Sequence, residues 1–593
     1  MRQNFFRTTG VAIVLMTLAS CVSGELNEPG EDEKPFIDPL VLSQNMCGRP
    51  DQKPQYSAAP EAEEMAVEFD FAKPFALGSE VVEHFHYPIS TQNQEVQYWF
   101  DMGLAHMANF NHDEAIAAFR KAQELEPDCA MCYWGEGLAF GSNINAPFDP
   151  NRGAAGLASA NRAMRLLSDV SDKEAALISA LSERYGVSER GIVENAEKYA
   201  DAMDSVAHSY ASDKFVLALA AEANMDTQPW DYWRAGARLP KGRTARTLEL
   251  LETALDIDPD FAPSVHLYIH ITEGSIDPYR AEKFADRLQA QALGVGHLLH
   301  MPSHTYLRLG RWKKSQAANL AAIAADEAYI TQSENALYYA NVYYPHNIHF
   351  VLASSQFAGD AETAFAMAGK LMQLGEIDPS GPSPFIEHMG AATIFAALQF
   401  ADSSTVLSIP EPAEPHLLMK TAWHYARGSV FARDADIENA QIELQSLAAL
   451  IRDQDLQSYQ DGFGVPLPSV AEIAQLTLQG RIHAGRGDLE AAISSLESAA
   501  ELDAQLPYYE PTWWYYPTRQ TLAKYLLEDG QFDRAEREFF KTLVKAPNNA
   551  YSLFGLAETY KAKGDKRSED YARELFEEAW MGGEDALPSL NDL

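Results

Sequence analysis

Positive charge is scarce in this chain. Its 593 residues carry 46 Lys and Arg against 85 Asp and Glu, a formal net charge of −39. Nowhere do basic residues cluster or interleave with aromatics, which argues against a surface that tracks nucleic-acid phosphates. A surface this acidic repels nucleic acid and anionic membranes and concentrates cations; adaptation to a saline medium gives the same composition. Cysteine is scarce too, at four residues, too few for a disulfide-built scaffold. The apolar run Val11 to Leu18 is too short to cross a bilayer. No convincing alternation of β-branched residues appears, so no sheet is expected. The chain has no H-E-x-x-H, G-x-S-x-G, P-loop or dinucleotide fingerprint, and no serine in a nucleophile context. Ordinary zincin proteolysis, nucleophile-elbow hydrolysis and P-loop chemistry are therefore not expected.

What is present begins with a processed leader. Arg2 and Arg7 precede the apolar run, and residues 1–21 read as a signal sequence. Leu18-Ala19-Ser20-Cys21 resembles a bacterial lipobox. The resemblance implies lipidation of Cys21, with Val22 and Ser23 following and no Asp to retain the protein at the inner membrane. It thus implies an outer-membrane lipoprotein facing the periplasm, touching the membrane only through its lipid. Residues 22–89 are an acidic, proline-rich tether and a lead-in whose Phe75, Phe85 and Tyr87 are too apolar for a free linker. In an oxidising compartment, Cys129 and Cys132 are expected as a structural disulfide or as passive thiols, which leaves Cys47 without a partner.

From about Ser90 the apolar period is helical. Trp99, Gly103, Ala115, Phe119, Ala122 and Pro127 occupy the positions of a tetratricopeptide repeat. Small residues there let two helices approach, an aromatic fills the gap, and proline ends the second helix. Gly530, Phe532, Ala535, Phe539 and Pro547 repeat the pattern. Gly564 follows Gly530 by 34 residues, the period of this repeat. Gly310 and Gly487 fall in the same inter-helix turn. The expected fold is all-α, a superhelical solenoid of tetratricopeptide type in one or two lobes. The lobes would be 90–400 and 416–580, separated by a proline-containing loop at 401–415 and followed by a tail at 581–593. The blocks H-L-Y-I-H, H-M-P-S-H and P-H-N-I-H, with E-P-T-W-W-Y-Y-P, resemble those of a group of long bacterial tetratricopeptide-repeat lipoproteins. The similarity runs from about His84 to Gly564. It implies the fold and the extracytoplasmic setting, and supplies no activity.

Seven of the 16 histidines lie between His266 and His349. His266 and His270 are four apart, with Glu273 at i+7 on the same helical face. His300 and His304 are again four apart, and His346 and His349 three. Pro302 and Pro345 read as first residues of helices. Helical histidine pairs present two imidazoles to one ion, and an apolar helix core gains nothing from six buried imidazoles. The expected metal ligands are His266, His270, His300, His304, His346 and His349, with Glu273 as ligand or supporting acceptor; two ions are conceivable. Imidazole with one carboxylate suits zinc, copper, iron or nickel, not calcium or magnesium. Lone histidines such as His106 are expected to be bonded to backbone carbonyls. Trp230, Trp233, Trp513 and Trp514 either stack on a protein or peptide partner or fill irregular joints. The function expected is a partner-binding lipoprotein with a transition-metal site. The alternatives are a metalloenzyme using that site (hydrolase or oxidoreductase) and a metal-free envelope scaffold.

Overall fold

The computed structural model describes residues 69–593 except 70, 190, 292–293, 376–383, 414–415, 454–455, 458–465 and 584–585. The signal sequence, Cys21, Cys47 and most of the tether lie outside the described residues. Within them the chain is a succession of antiparallel helix pairs, each packed on the next in sequence order. No described helix is long and apolar enough to cross a membrane.

The first repeat shows why this sequence folds so. Helix α1 (Gln94–Ala108) is capped by the Asn93 side chain, α2 (His112–Leu125) follows a tight turn, and α3 (Ala130–Ala139) starts at Cys129. The Phe119 ring fills the space left by two glycines. A Cβ on Gly103 would lie 2.4 Å from that ring, and one on Gly135 2.5 Å, so helix approach and aromatic filler are matched. Phe539 meets Gly555 in the same way, at 2.2 Å. Cys129 and Cys132 form a disulfide with Cα atoms 5.4 Å apart. Gly310, Gly487, Gly530 and Gly564 all have positive φ, from 65° to 78°, which suits glycine at a turn.

Three expectations change. A hairpin of two four-residue strands, Tyr185–Ser188 and Gly191–Glu194, interrupts the helices. It is too short to show as periodicity, and it brings Glu194 onto the buried Arg184 at 2.6 Å. The stretch expected as a loop contains a short helix, Ser403–Ser408, capped by Asp402. The core does not part there either, because one apolar cluster runs from Ile323 to Tyr516. Pro345 is the third residue of its helix rather than the first.

Late repeats return to the middle of the chain. The Trp312 indole donates to the Asn548 carbonyl at 2.8 Å, and the Met581 amide to the Ala358 carbonyl at 2.8 Å. This return carries the aromatic segment around Glu510 onto the histidine-bearing helices.

Candidate metal centre

Four helices build the centre: α4 (Ala262–Glu273), α5 (Gly296–His300), α6 (Pro302–Arg308) and α8 (Tyr343–Ala358), with α7 (Trp312–Ile330) behind them. Pro302 opens α6 and sets His304 in its first turn. His266, His270, His297, His300 and His304 are all buried. Three overlapping groups of potential ligands result among the described residues: His266 with His270 and His297, His300 with His304 and His346, and His270 with Glu273 and His304. Within each, one ligand atom per residue lies within 4.8 Å of the others.

Hydrogen bonds settle which nitrogen faces inward. His266 Nδ1 donates to the Ala108 carbonyl at 2.8 Å, so its Nε2 carries a lone pair. His270 Nδ1 lies 3.2 Å from Glu273 Oε1. The Asn319 amide donates Nδ2 to the Ser315 carbonyl at 2.8 Å, which turns its Oδ1 toward His300 Nδ1 at 2.6 Å. His304 Nδ1 donates to Glu510 Oε2 at 2.9 Å and lies 2.8 Å from Glu273 Oε2. In all four rings an acceptor faces Nδ1, the arrangement by which acceptors orient metal-binding imidazoles.

The Nε2 atoms converge. His300 and His304 approach to 2.9 Å, and His266 and His297 to 3.2 Å. Three imidazoles at about 2.0–2.1 Å from a tetrahedral ion hold their nitrogens about 3.3 Å apart, close to both contacts. Without an ion, a proton must separate each pair. His270 Nε2 and His297 Nδ1 are buried and have no hydrogen-bond partner, at a cost of about 1–3 kcal/mol for each unsatisfied group.

Electrostatics divides the site. Burial first, and neighbouring imidazoles second, push the pKa of His270, His297, His300 and His346 well below the ordinary range; His266 is lowered in the same direction, its Ala108 bond offsetting part of the effect. Neutral rings are the form a metal takes. At His304 burial also disfavours charge, but Glu273 and Glu510 outweigh it and raise the pKa to about 10. Aromatic walls complete each group. Phe110 lies 4.4 Å from His266 and 5.5 Å from His297; Phe350 lies 4.8 Å from each of His300, His304 and His346.

His349 does not join. It faces the Tyr515 hydroxyl, with its ring 5.0 Å from that of His388, and belongs to none of the groups of potential ligands among the described residues. It lies about 60° around the helix from His346, and Tyr515 and His388 hold its ring away from the cluster. Glu273 lies at the Nδ1 atoms of His270 and His304 and forms with them the third group of potential ligands. His297 takes the place expected for His349; its spacing of three from His300 was the available signal. Glu510, Asn319 and the Ala108 carbonyl had no local signal.

Among the tryptophans, Trp513 and Trp514 are 3% and 2% exposed. They pack on His388 and on Phe395 and Tyr425, filling a joint and offering no face to a partner. The Trp233 indole donates to the Ile271 carbonyl at 2.8 Å, while Trp230 is 46% exposed. His106 Nε2 bonds the Phe75 carbonyl at 2.9 Å, as a lone buried histidine should.

Residues 96–129 match the family model of a tetratricopeptide repeat. No curated protein matches the sequence. Among solved structures, the human IFIT1 dimer with m7Gppp-AAAA is 13% identical, over 84% of this chain and 92% of that one, with a TM-score of 0.27. The APC/C hetero-tetramer Cut9-Hcn1 is 12% identical over 82% and 76%, with a TM-score of 0.30. The P58(IPK) TPR domain is 11% identical over 82% and 99%, with a TM-score of 0.21.

Proposed function

We propose that this chain is an outer-membrane lipoprotein of the periplasm whose tetratricopeptide-type solenoid binds a protein or peptide partner and encloses a transition-metal centre. The anchoring rests on the leader and Cys21, and the Cys129–Cys132 disulfide is consistent with an oxidising compartment. Partner binding rests on the repeat architecture, which stacks helix pairs into extended surfaces, and Trp230 is the exposed aromatic available to it.

The metal reading is carried by one observation: four Nδ1 atoms are held by acceptors while the Nε2 atoms converge. The ligands are drawn from His266, His270 and His297 in one group and His300, His304 and His346 in another, with Glu273 between His270 and His304 as ligand or supporting acceptor. Zinc, copper, iron and nickel suit this donor set. Elemental analysis of the full chain, purified without a histidine tag, tests it beside a His300→Ala/His304→Ala variant. Near-stoichiometric metal is expected in the parent, with a clear loss in a variant whose far-ultraviolet circular dichroism is unchanged. A parent that carries none, and takes up none of the four metals, sinks the proposal.

A further inference from the structure

We infer that the C-terminal repeats hold a site for a small tetrahedral oxyanion, phosphate or sulfate or a phosphate monoester, bound by Arg481, Lys524 and the unpartnered donors around them.

The site lies where three helices meet: α9 (Leu417–Arg433), α10 (Leu467–Gly485) and α11 (Thr518–Glu528). Helix α9 packs on α10 so closely that a Cβ on Gly428 would lie 2.5 Å from Leu478 Cδ2. Gly428 stands between Tyr425 and Ser429, which are one turn apart on α9. Leu478 stands between Thr477 and Arg481, one turn apart on α10. The contact therefore sets two polar pairs at the same height. Arg481 lies among Tyr425, Tyr516 and Tyr525, and Lys524 of α11 lies close enough to feel its charge. The Trp514 ring is 4.9 Å from that of Tyr425.

This interior offers donors and no acceptor for them. The hydroxyls of Tyr425, Ser429 and Thr477, Arg481 Nε and Trp514 Nε1 are all buried without a hydrogen-bond partner. Each such group costs about 1–3 kcal/mol. Buried helical hydroxyls elsewhere in the chain bond the carbonyl one turn back, as those of Ser355, Thr421 and Thr559 do. Ser429 and Thr477 forgo that bond, which leaves their protons for an acceptor outside the helix.

Charge is equally one-sided. The buried Arg184 shows the ordinary arrangement, with Glu194 at 2.6 Å and Asp226 at 3.3 Å. No ion pair joins Arg481 to a carboxylate among the described residues. Lys524 is 5% exposed and meets the Tyr525 ring at 4.9 Å and Glu528 only at 4.0 Å. Burial, and then Arg481, push its pKa down to about 8, with Glu528 and Asp592 offsetting part of the effect. Two neighbouring cations are thus short of negative charge in a chain whose net charge is −39.

The number of donors selects the anion. A carboxylate accepts at about four positions, fewer than the five unpartnered donors and the Lys524 ammonium require. A tetrahedral oxyanion has more oxygens to share among them, and a guanidinium binds it as well as it binds a carboxylate. Arg481 keeps partial exposure although its Nε is buried, and this is the approach for the anion.

Isothermal titration calorimetry of the full chain tests this, with inorganic phosphate, sulfate, glycerol phosphate and acetate at matched ionic strength. Saturable binding of about one phosphate or sulfate per chain is expected, with acetate about tenfold weaker, as its fewer acceptor positions imply. Glycerol phosphate binding as tightly as phosphate would assign the site to a monoester, and weaker binding to the free ion. Arg481→Gln should weaken phosphate about a hundredfold and Ser429→Ala about tenfold, the range for losing hydrogen bonds to a charged group. Lys541→Gln, at an exposed pair with Glu538, should match the parent. Circular dichroism checks the fold of each variant, and Lys524→Gln replaces Arg481→Gln if the latter does not fold. No saturable binding of phosphate, sulfate or the ester overturns the inference. So does a folded Arg481→Gln or Lys524→Gln variant that binds like the parent, or an equal loss in Lys541→Gln.

Discussion

Two helix interfaces in this chain share a geometry and differ in what fills them. Between α1, α2 and α3, one ring, Phe119, occupies the gap left by Gly103 and Gly135. Between α4, α5, α6 and α8, imidazoles occupy the equivalent interior. The first filling needs no partner beyond close contact. The second needs an acceptor for each Nδ1 and a proton or ion for each Nε2. The chain supplies the acceptors from far away, Ala108 lying 158 residues from His266 and Glu510 lying 206 from His304. Apolar packing is thus satisfied between adjacent repeats, whereas the histidine interior depends on distant parts of the chain being folded around it.

The sharpest way to break this contrast is to empty the first interface. Phe119→Ala should cost about 3–5 kcal/mol, the usual range for deleting a buried aromatic. Urea unfolding monitored by circular dichroism reads it. Metal per folded molecule should fall less than in the His300→Ala/His304→Ala variant, because Phe119 touches no ligand although its repeat supplies the Ala108 carbonyl and Phe110 to the centre; an equal loss would show that the two interfaces are not independent. Next in size is removal of the ion from the second interface. Chelation should lower the parent's stability by about 2.7 kcal/mol, the effect of losing a ligand present at 100 times its dissociation constant. The His300→Ala/His304→Ala variant should respond far less. Equal responses would place the bound metal elsewhere.

How much of this could be read from residues alone follows from the same contrast. Local signals were legible. The helical period, the left-handed turns at Gly310 and Gly564 and the filler role of Phe119 depend on neighbours within one repeat. The histidine spacings were legible too, because i and i+4 share a helix face whatever the surroundings. The direction of His349 was not, since it is set by Tyr515, which lies 166 residues later. For the same reason Trp513 and Trp514 looked like a binding surface. An aromatic run carries no mark of whether the chain will return and bury it, and the return at Asn548 depends on the summed curvature of the repeats.

The smallest effect concerns a buried carboxylate outside the centre. Glu273 and Glu510 touch a histidine whose pKa is raised, whereas Glu387 has His416 beside it, with Nδ1 3.6 Å from Oε1. Burial raises the Glu387 pKa to about 7, partly offset by the backbone amides of Leu418 and Met419. The folded chain therefore binds this proton more tightly than the unfolded chain does. Its contribution is fully present below the unfolded value of about 4.5 and is lost as pH rises through about 7. The slope is at most about 1.4 kcal/mol per pH unit. Glu387→Gln removes the titration but keeps an oxygen for the Leu418 amide, which donates to Glu387 at 2.9 Å. The variant should gain on the parent steadily from pH 5 to pH 7 and hold a constant margin above that, as read by urea midpoints across the range. A margin independent of pH would mean that Glu387 titrates normally. Burial alone would then not perturb a carboxylate in this interior, and the raised pKa of His304 would have to come from the close approach of Glu273 and Glu510 and not from any general property of the core.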